Sequence, residues 1–276
     1  MLGSENKPQT TAAYLESIGV PNLPPKTLAF DPGYDLNTVK SHLEQSGHMI
    51  SSLKLSMACW QVASEASTRE KILSAKALNV PVCTGGGPFE VACACNQLPQ
   101  YLDLCANLGF TRIEAGEGFI DLRLSPQEVL KLATERGLEI HFEVGEKHSG
   151  PFTPQVLSAI IDQGKEWLDA GAKQLVVEAR ESAENVGLFD SRGNLDLSGA
   201  DSLVDAFGLE TVIFEAPNKS SQFAFIRHYG PEVELCNVRL EETLRVEIYR
   251  RGLHSDAFMF DNLRPAGATT TGDDLK

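Results

Sequence analysis

At 276 residues the chain could be one large α/β domain or two small ones, and its 42% hydrophobic content is enough for a sizeable core. No apolar run reaches the ~18 residues of a membrane span and no signal-peptide core opens the chain, so no membrane partner is expected and a cytoplasmic location is. A net charge of -14 argues against nucleic acid, whose phosphates need a basic face, while a local Lys/Arg cluster could still hold a small anion.

Residues 1–25 are mixed and polar, close on Pro21, Pro24 and Pro25, and read as an extension before the domain. An alternation then begins. Lys26–Phe30 is a short apolar strand, and after Asp31-Pro32-Gly33 a helix runs to about Gly47. Met49–Leu55 is the second strand, and Ser64 caps a helix reaching Leu78. Val80–Thr84 is the third, opening into Gly85-Gly86-Gly87-Pro88 and a helix that Pro99 interrupts. Phe110–Ala115 is the fourth, with a helix from Ser125-Pro126 to Gly137.

The second half keeps the rhythm. Leu138–Val144 is the fifth strand, and Thr153-Pro154 starts a long helix ending at Gly171. Gln174–Ala179, Thr211–Ala216 and Glu234–Val238 complete the strands, with helices at Leu197–Phe207, Asn218–Tyr229 and Glu241–Arg251. Eight apolar strands, each followed by a helix, call for a parallel sheet covered by helices. About 250 residues of such units is the size of a single-domain (β/α)8 TIM barrel, assigned here to 26–258, with 259–276 as a flexible tail. An open doubly wound sheet is less favoured, because no Gly-x-Gly-x-x-Gly follows the first strand.

In a barrel the carboxyl ends of the strands share one mouth. Four consecutive strands place a glutamate where the apolar run stops (Glu114, Glu143, Glu178 and Glu215), the first ends at Asp31, and the second passes through Lys54. Clustered carboxylates repel unless a cation balances them. Lys54, Lys147, Arg180 and Lys219 are available, and an all-carboxylate set suits Mg2+ better than Zn2+. Gly85, Gly86 and Gly87 offer backbone N–H groups at a helix start, a place where phosphate commonly binds. His141, inside a strand, is expected to be a core histidine, and the six cysteines read as free thiols.

These same residues resemble the phosphosulfolactate synthases, which add sulfite to phosphoenolpyruvate. The resemblance runs from about Lys26 to Phe258. It is carried by Phe142-Glu143-Val144-Gly145-Glu146-Lys147, Glu178-Ala179-Arg180-Glu181-Ser182, Gly187-Leu188-Phe189-Asp190, the stretch from Val212 to Ser220, and Arg250-Arg251-Gly252-Leu253. It implies a TIM-barrel carbon–sulfur lyase of coenzyme M or sulfolactate formation, with phosphoenolpyruvate and sulfite as substrates, Mg2+ as cofactor and room for a homo-oligomer. The charge pattern then leads one to expect Mg2+ to be held by some of Glu114, Glu143, Glu178 and Glu215. On the resemblance, Lys147 protonates the carbanion, its proton loosened by desolvation, and Lys54 and Arg180 neutralise the anions. Asp31, Gly85, Gly86, Gly87 and Lys219 contact substrate.

Three segments depart from the family pattern. Lys54 is followed by Leu55-Ser56-Met57-Ala58-Cys59 where Phe-Gly-Trp-Gly-Thr is usual; Thr84-Gly85-Gly86-Gly87-Pro88 replaces Pro-Gly-Gly-Thr-Leu; and Pro32 stands where many members have lysine. The alternatives are another Mg2+-dependent lyase or aldolase acting on a phosphorylated acid, and a non-catalytic stress-related barrel.

Overall fold

The computed structural model describes residues 10–268. Its eight strands are β1 (Thr27–Asp31), β2 (Ile50–Leu55), β3 (Val82–Thr84), β4 (Arg112–Gly116), β5 (Glu139–Val144), β6 (Gln174–Val177), β7 (Val212–Glu215) and β8 (Glu234–Arg239). Each pairs in parallel with the next and β8 closes on β1, so the sheet is a closed (β/α)8 barrel, as expected from the alternation. The strands sit within a few residues of their expected limits. The largest differences are of two residues: β3 and β4 start at Val82 and Arg112, and β6 ends at Val177 instead of continuing to Ala179.

The helices begin and end where local chemistry dictates. Ser125 and Glu128 form a reciprocal capping box, with Pro126 in the first turn where its missing N–H is harmless. Thr153 caps Pro154–Ala170, and Gly171 ends that helix in the left-handed conformation. Pro99 lies in the first turn of Leu98–Leu108, separating it from Gly86–Ala94.

Strand alternation separates two environments. Phe142 stacks on Trp167 of the helix outside β5, with ring centroids 4.1 Å apart, and Phe214 stacks on Phe225 outside β7 at 4.3 Å. Their neighbours His141, Glu143, Ile213 and Glu215 therefore point into the barrel. Leu28, Val176, Ile213 and Cys236 form a small apolar plug inside it, while the larger core lies between strands and helices. At the opposite end from the mouth, buried Arg250 donates to the carbonyls of Pro231 and Val233, each at 2.7 Å, and bonds Thr27 and Glu247. This network ties the beginnings of β8 and β1 together.

The segment before the barrel contains a short helix, Thr11–Ser17. After the barrel, Leu263 is buried and the Ala266 N–H donates to the Gly19 carbonyl at 3.2 Å. The remainder of the segment expected to be a tail, 269–276, lies outside the described residues.

Candidate active site

A cavity of about 880 Å³ opens at the carboxyl ends of the strands. Glu114, Glu143, Glu178 and Glu215 line it, each at most 3% exposed, together with Lys54, Lys147, Arg180 and Gly85–Gly87. Inward positions within, at or just past the last residues of β4 to β7 put four carboxylates into one space, and two ammonium groups answer them. Lys54 Nζ lies 2.7 Å from Glu114 Oε2 and 3.5 Å from Glu215 Oε1. Lys147 Nζ bonds Glu143 and lies 2.6 Å from Glu178 Oε2.

Backbone donors hold a second oxygen in three of the four glutamates. Gly86 N–H donates to Glu114 Oε1 at 3.0 Å, Ala179 N–H to Glu215 Oε2 at 2.8 Å, and Arg180 N–H to Glu178 Oε1 at 2.5 Å. Gly86 has little space to spare, since a Cβ there would sit 3.3 Å from Glu143 Oε2. Three residues at the rim (Met57, Arg180 and Asn237) hold positive φ without being glycine, the kind of backbone strain that concentrates at functional sites.

Four carboxylates against two ammonium groups leave excess negative charge, and proton affinities respond to it. Burial, with repulsion from Glu143 and Glu215, pushes Glu114 up to about 8 despite Lys54. Burial with repulsion from Glu215 and Glu143 pushes Glu178 up to about 10. Glu143 goes the other way: burial raises it, but the ammonium groups of Lys147 and Lys54 win and bring it down to about 2. Desolvation does not loosen the Lys147 proton as expected. Glu143 and Glu178 outweigh it and hold the lysine well above its ordinary value. Glu114, Glu143 and Glu215 each offer an oxygen within 4.8 Å of the others, a hard, buried donor set that could hold a divalent cation. Such a cation would replace the protons that the excess charge otherwise retains.

Two expected site residues lie elsewhere. Asp31 is fully buried but pairs with Lys71 at 2.8 Å and accepts from Gly33 and Tyr34 N–H, beside a separate pocket of about 280 Å³. Alternation along β1, with Leu28 pointing into the barrel, turns Asp31 outward to the helix Glu65–Ala77, where Lys71 supplies the compensating charge. Lys219 is half exposed, paired with Asp256 at 3.2 Å over the Phe223 ring, and does not line the cavity. Gly86 of the glycine turn spends its N–H on Glu114. His141 is a buried interior residue, as expected, and burial lowers it to about 3.

Sequence reasoning missed Asn237, which bridges Lys54 and Glu215, and Phe119, a half-exposed ring on the cavity wall. It also passed over Glu90, whose carboxylate is wholly buried and accepts from the Phe119 N–H at 2.8 Å, anchoring the loop after β4. The available signals were a polar residue within an apolar strand and an acid within an apolar helix.

A closed parallel barrel with buried and part-buried lysine–glutamate pairs and a pocket at the strands' carboxyl ends has the architecture of a TIM-barrel enzyme. Residues 24–256 match the family described as (2R)-phospho-3-sulfolactate synthase (ComA). The phosphosulfolactate synthase of Methanocaldococcus jannaschii is 33% identical over 233 residues, covering 84% of this chain and 93% of that one. The phosphosulfolactate synthase of Methanothermobacter thermautotrophicus is 29% identical over 240 residues, covering 86% and 92%. The chain belongs to the phosphosulfolactate synthase family. Among solved structures, KGPDC from Streptococcus mutans superposes with a TM-score of 0.51 at 16% identity, covering 80% of this chain and 90% of that one. That likeness concerns the barrel alone. No helix among the described residues is long and apolar enough to cross a membrane.

Proposed function

We propose that this chain adds sulfite to phosphoenolpyruvate to give 2-phospho-3-sulfolactate, with Mg2+ as its cofactor. The observation that carries this reading is a pair of ammonium groups, buried Lys54 and part-buried Lys147, each set between two glutamates in the mouth of a barrel of this family. Glu114, Glu143 and Glu215 would hold the Mg2+. When bound, the ion supplies positive charge near the substrate carboxylate, where negative charge builds during addition.

The sulfite sulfur lone pair forms a bond to the terminal carbon of phosphoenolpyruvate. The C=C π pair moves onto the central carbon and its carboxylate. A proton delivered to that carbon completes the product, so nothing is oxidised or reduced and no group leaves. Lys147 is the donor. Its raised proton affinity is no obstacle, because a carbanion beside a carboxylate is a far stronger base than an amine, and it keeps the lysine charged until the carbanion forms. Arg180 at the rim and Lys54 at the floor bring positive charge to the anions. The Ser56 hydroxyl, buried on the cavity wall with no partner among the described residues, is free to bond the substrate. Sulfite is already a good nucleophile, so no activated serine or cysteine is required.

A second reading keeps the addition chemistry but changes the acid. Ser56, Met57 and Ala58, which depart from the usual family sequence, all line the cavity, so a different phosphorylated acid could fit there. The test is to incubate purified protein with phosphoenolpyruvate, sulfite and Mg2+ and follow the phosphorus signal by NMR. A new phosphorylated sulfonate is expected. Folded protein that yields none with phosphoenolpyruvate, but does with a substituted enol phosphate, would favour the second reading.

A further inference from the structure

The β8 strand carries an irregularity that serves the site. Thr27 of β1 pairs with Leu235 and Ala29 with Val238, so a two-residue step on β1 faces a three-residue step on β8. The extra length is a β-bulge, and within it Asn237 adopts the left-handed conformation at φ 57°. Bulges re-aim side chains, and asparagine tolerates this conformation better than most residues. Here the bulge leaves the Asn237 carboxamide, 8% exposed, at the wall of the catalytic cavity.

What the carboxamide touches sets its orientation. Lys54 Nζ has only protons to offer, so Asn237 Oδ1 faces it, at 3.0 Å. Asn237 Nδ2 donates to Glu215 Oε1, whose partner oxygen Oε2 is already held by the Ala179 N–H. Glu215 thus has both oxygens fixed by N–H donors, and Lys54 is steadied by Glu114 on one side and Asn237 on the other. A buried lysine carries a long flexible stem, and its ammonium stays in one place only if its surroundings specify that place.

We infer that Asn237 is a positioning residue: the β8 bulge exists to set its carboxamide between Lys54 and Glu215, fixing the ammonium and the carboxylate that the addition reaction uses. The inference rests on the proposed function for its kinetic consequence, but its geometric content stands separately.

Replacing Asn237 by glycine separates backbone from side chain, because glycine keeps the left-handed bulge and removes both hydrogen bonds. The Asn237→Gly barrel should fold, as seen by circular dichroism and thermal unfolding. Its kcat with phosphoenolpyruvate and sulfite should fall about 10- to 100-fold, the usual cost of losing an orienting partner, while KM for phosphoenolpyruvate changes little. If the loss acts through Lys54, Asn237→Gly combined with Lys54→Met should be no slower than Lys54→Met alone. Asn237→Asp, which keeps an acceptor for Lys54 but loses the donor to Glu215, should not restore the rate. A wild-type kcat in Asn237→Gly would overturn the inference, as would full additivity with both Lys54→Met and Glu215→Gln. If the wild-type protein itself fails to combine the two substrates, the functional reading falls and the inference is decided by the crystal structure of Asn237→Gly. A displaced Lys54 ammonium or Glu215 carboxylate supports it, and both groups in place overturn it.

Discussion

Lys147 and Glu178 face each other across the mouth from the loop after β5 and the end of β6, with Lys147 Nζ 2.6 Å from Glu178 Oε2 and bonded also to Glu143. Lysine and glutamates thus form a three-membered bridge spanning two strands, and the ammonium is held at a defined point of the cavity.

Lys147→Ala should lower kcat by roughly two to four orders of magnitude, the range for losing a general acid. KM for phosphoenolpyruvate should change far less, because Lys54 and Arg180 remain. Steady-state kinetics on the two variants Lys147→Ala and Lys54→Ala check this. Near-normal turnover in the first with collapse in the second would move the proton donor to Lys54.

Gly118 lies against that lysine. The Lys147 N–H donates to the Gly118 carbonyl at 3.1 Å, and a Cβ on Gly118 would sit 3.0 Å from Lys147 Cγ and 3.2 Å from its Nζ. Gly118→Ala should therefore shift the ammonium by a fraction of an ångström. A displacement of ~1 Å at a reacting group costs on the order of 100-fold, so a kcat loss below that, with unchanged melting temperature, is expected. Rates equal to wild type would show that the side chain has another path.

The carboxylate cluster should make turnover depend on a divalent cation. A chelator should abolish the reaction and Mg2+ restore it, while Glu114→Gln and Glu215→Gln should raise the Mg2+ concentration needed for half-activity. Full turnover in excess chelator, with no metal found by elemental analysis, would leave the glutamates as partners of Lys54 and Lys147 only.

Arg250 offers a contrast at the far end of the barrel. Arg250→Ala removes the guanidinium that joins β8 to β1 and leaves the buried Glu247 with Arg251 and the Thr27 hydroxyl as partners. Breaking a buried pair in this way typically costs ~3–5 kcal/mol. Denaturant unfolding should register that loss, with kcat of the folded protein unaffected.

The periodicity of the chain determined a good deal by itself. Apolar strands of similar length, each followed by a capped helix, leave few arrangements besides a closed parallel barrel, since every strand must be covered on its outer face. Inward alternation then places Glu114 within β4, Glu143 near the end of β5, Glu178 just past β6, and Glu215 at the end of β7 in one mouth with Lys54. Asp31 followed the same pattern on paper, yet only the folded structure fixes the phase of β1, which turns Leu28 inward and Asp31 outward to Lys71, forty residues later. Lys219 likewise matched a family segment but is drawn outward by Asp256, a residue whose approach depends on the packing of the last helices. The bulge that turns Asn237 onto Lys54 and Glu215 could not be read from β8 alone, because it is a mismatch in register between β8 and β1. The direction of the Lys147 shift was decided in the same way. Desolvation and two carboxylates oppose one another there, and their balance is set by distances that exist only once β5 and β6 lie side by side.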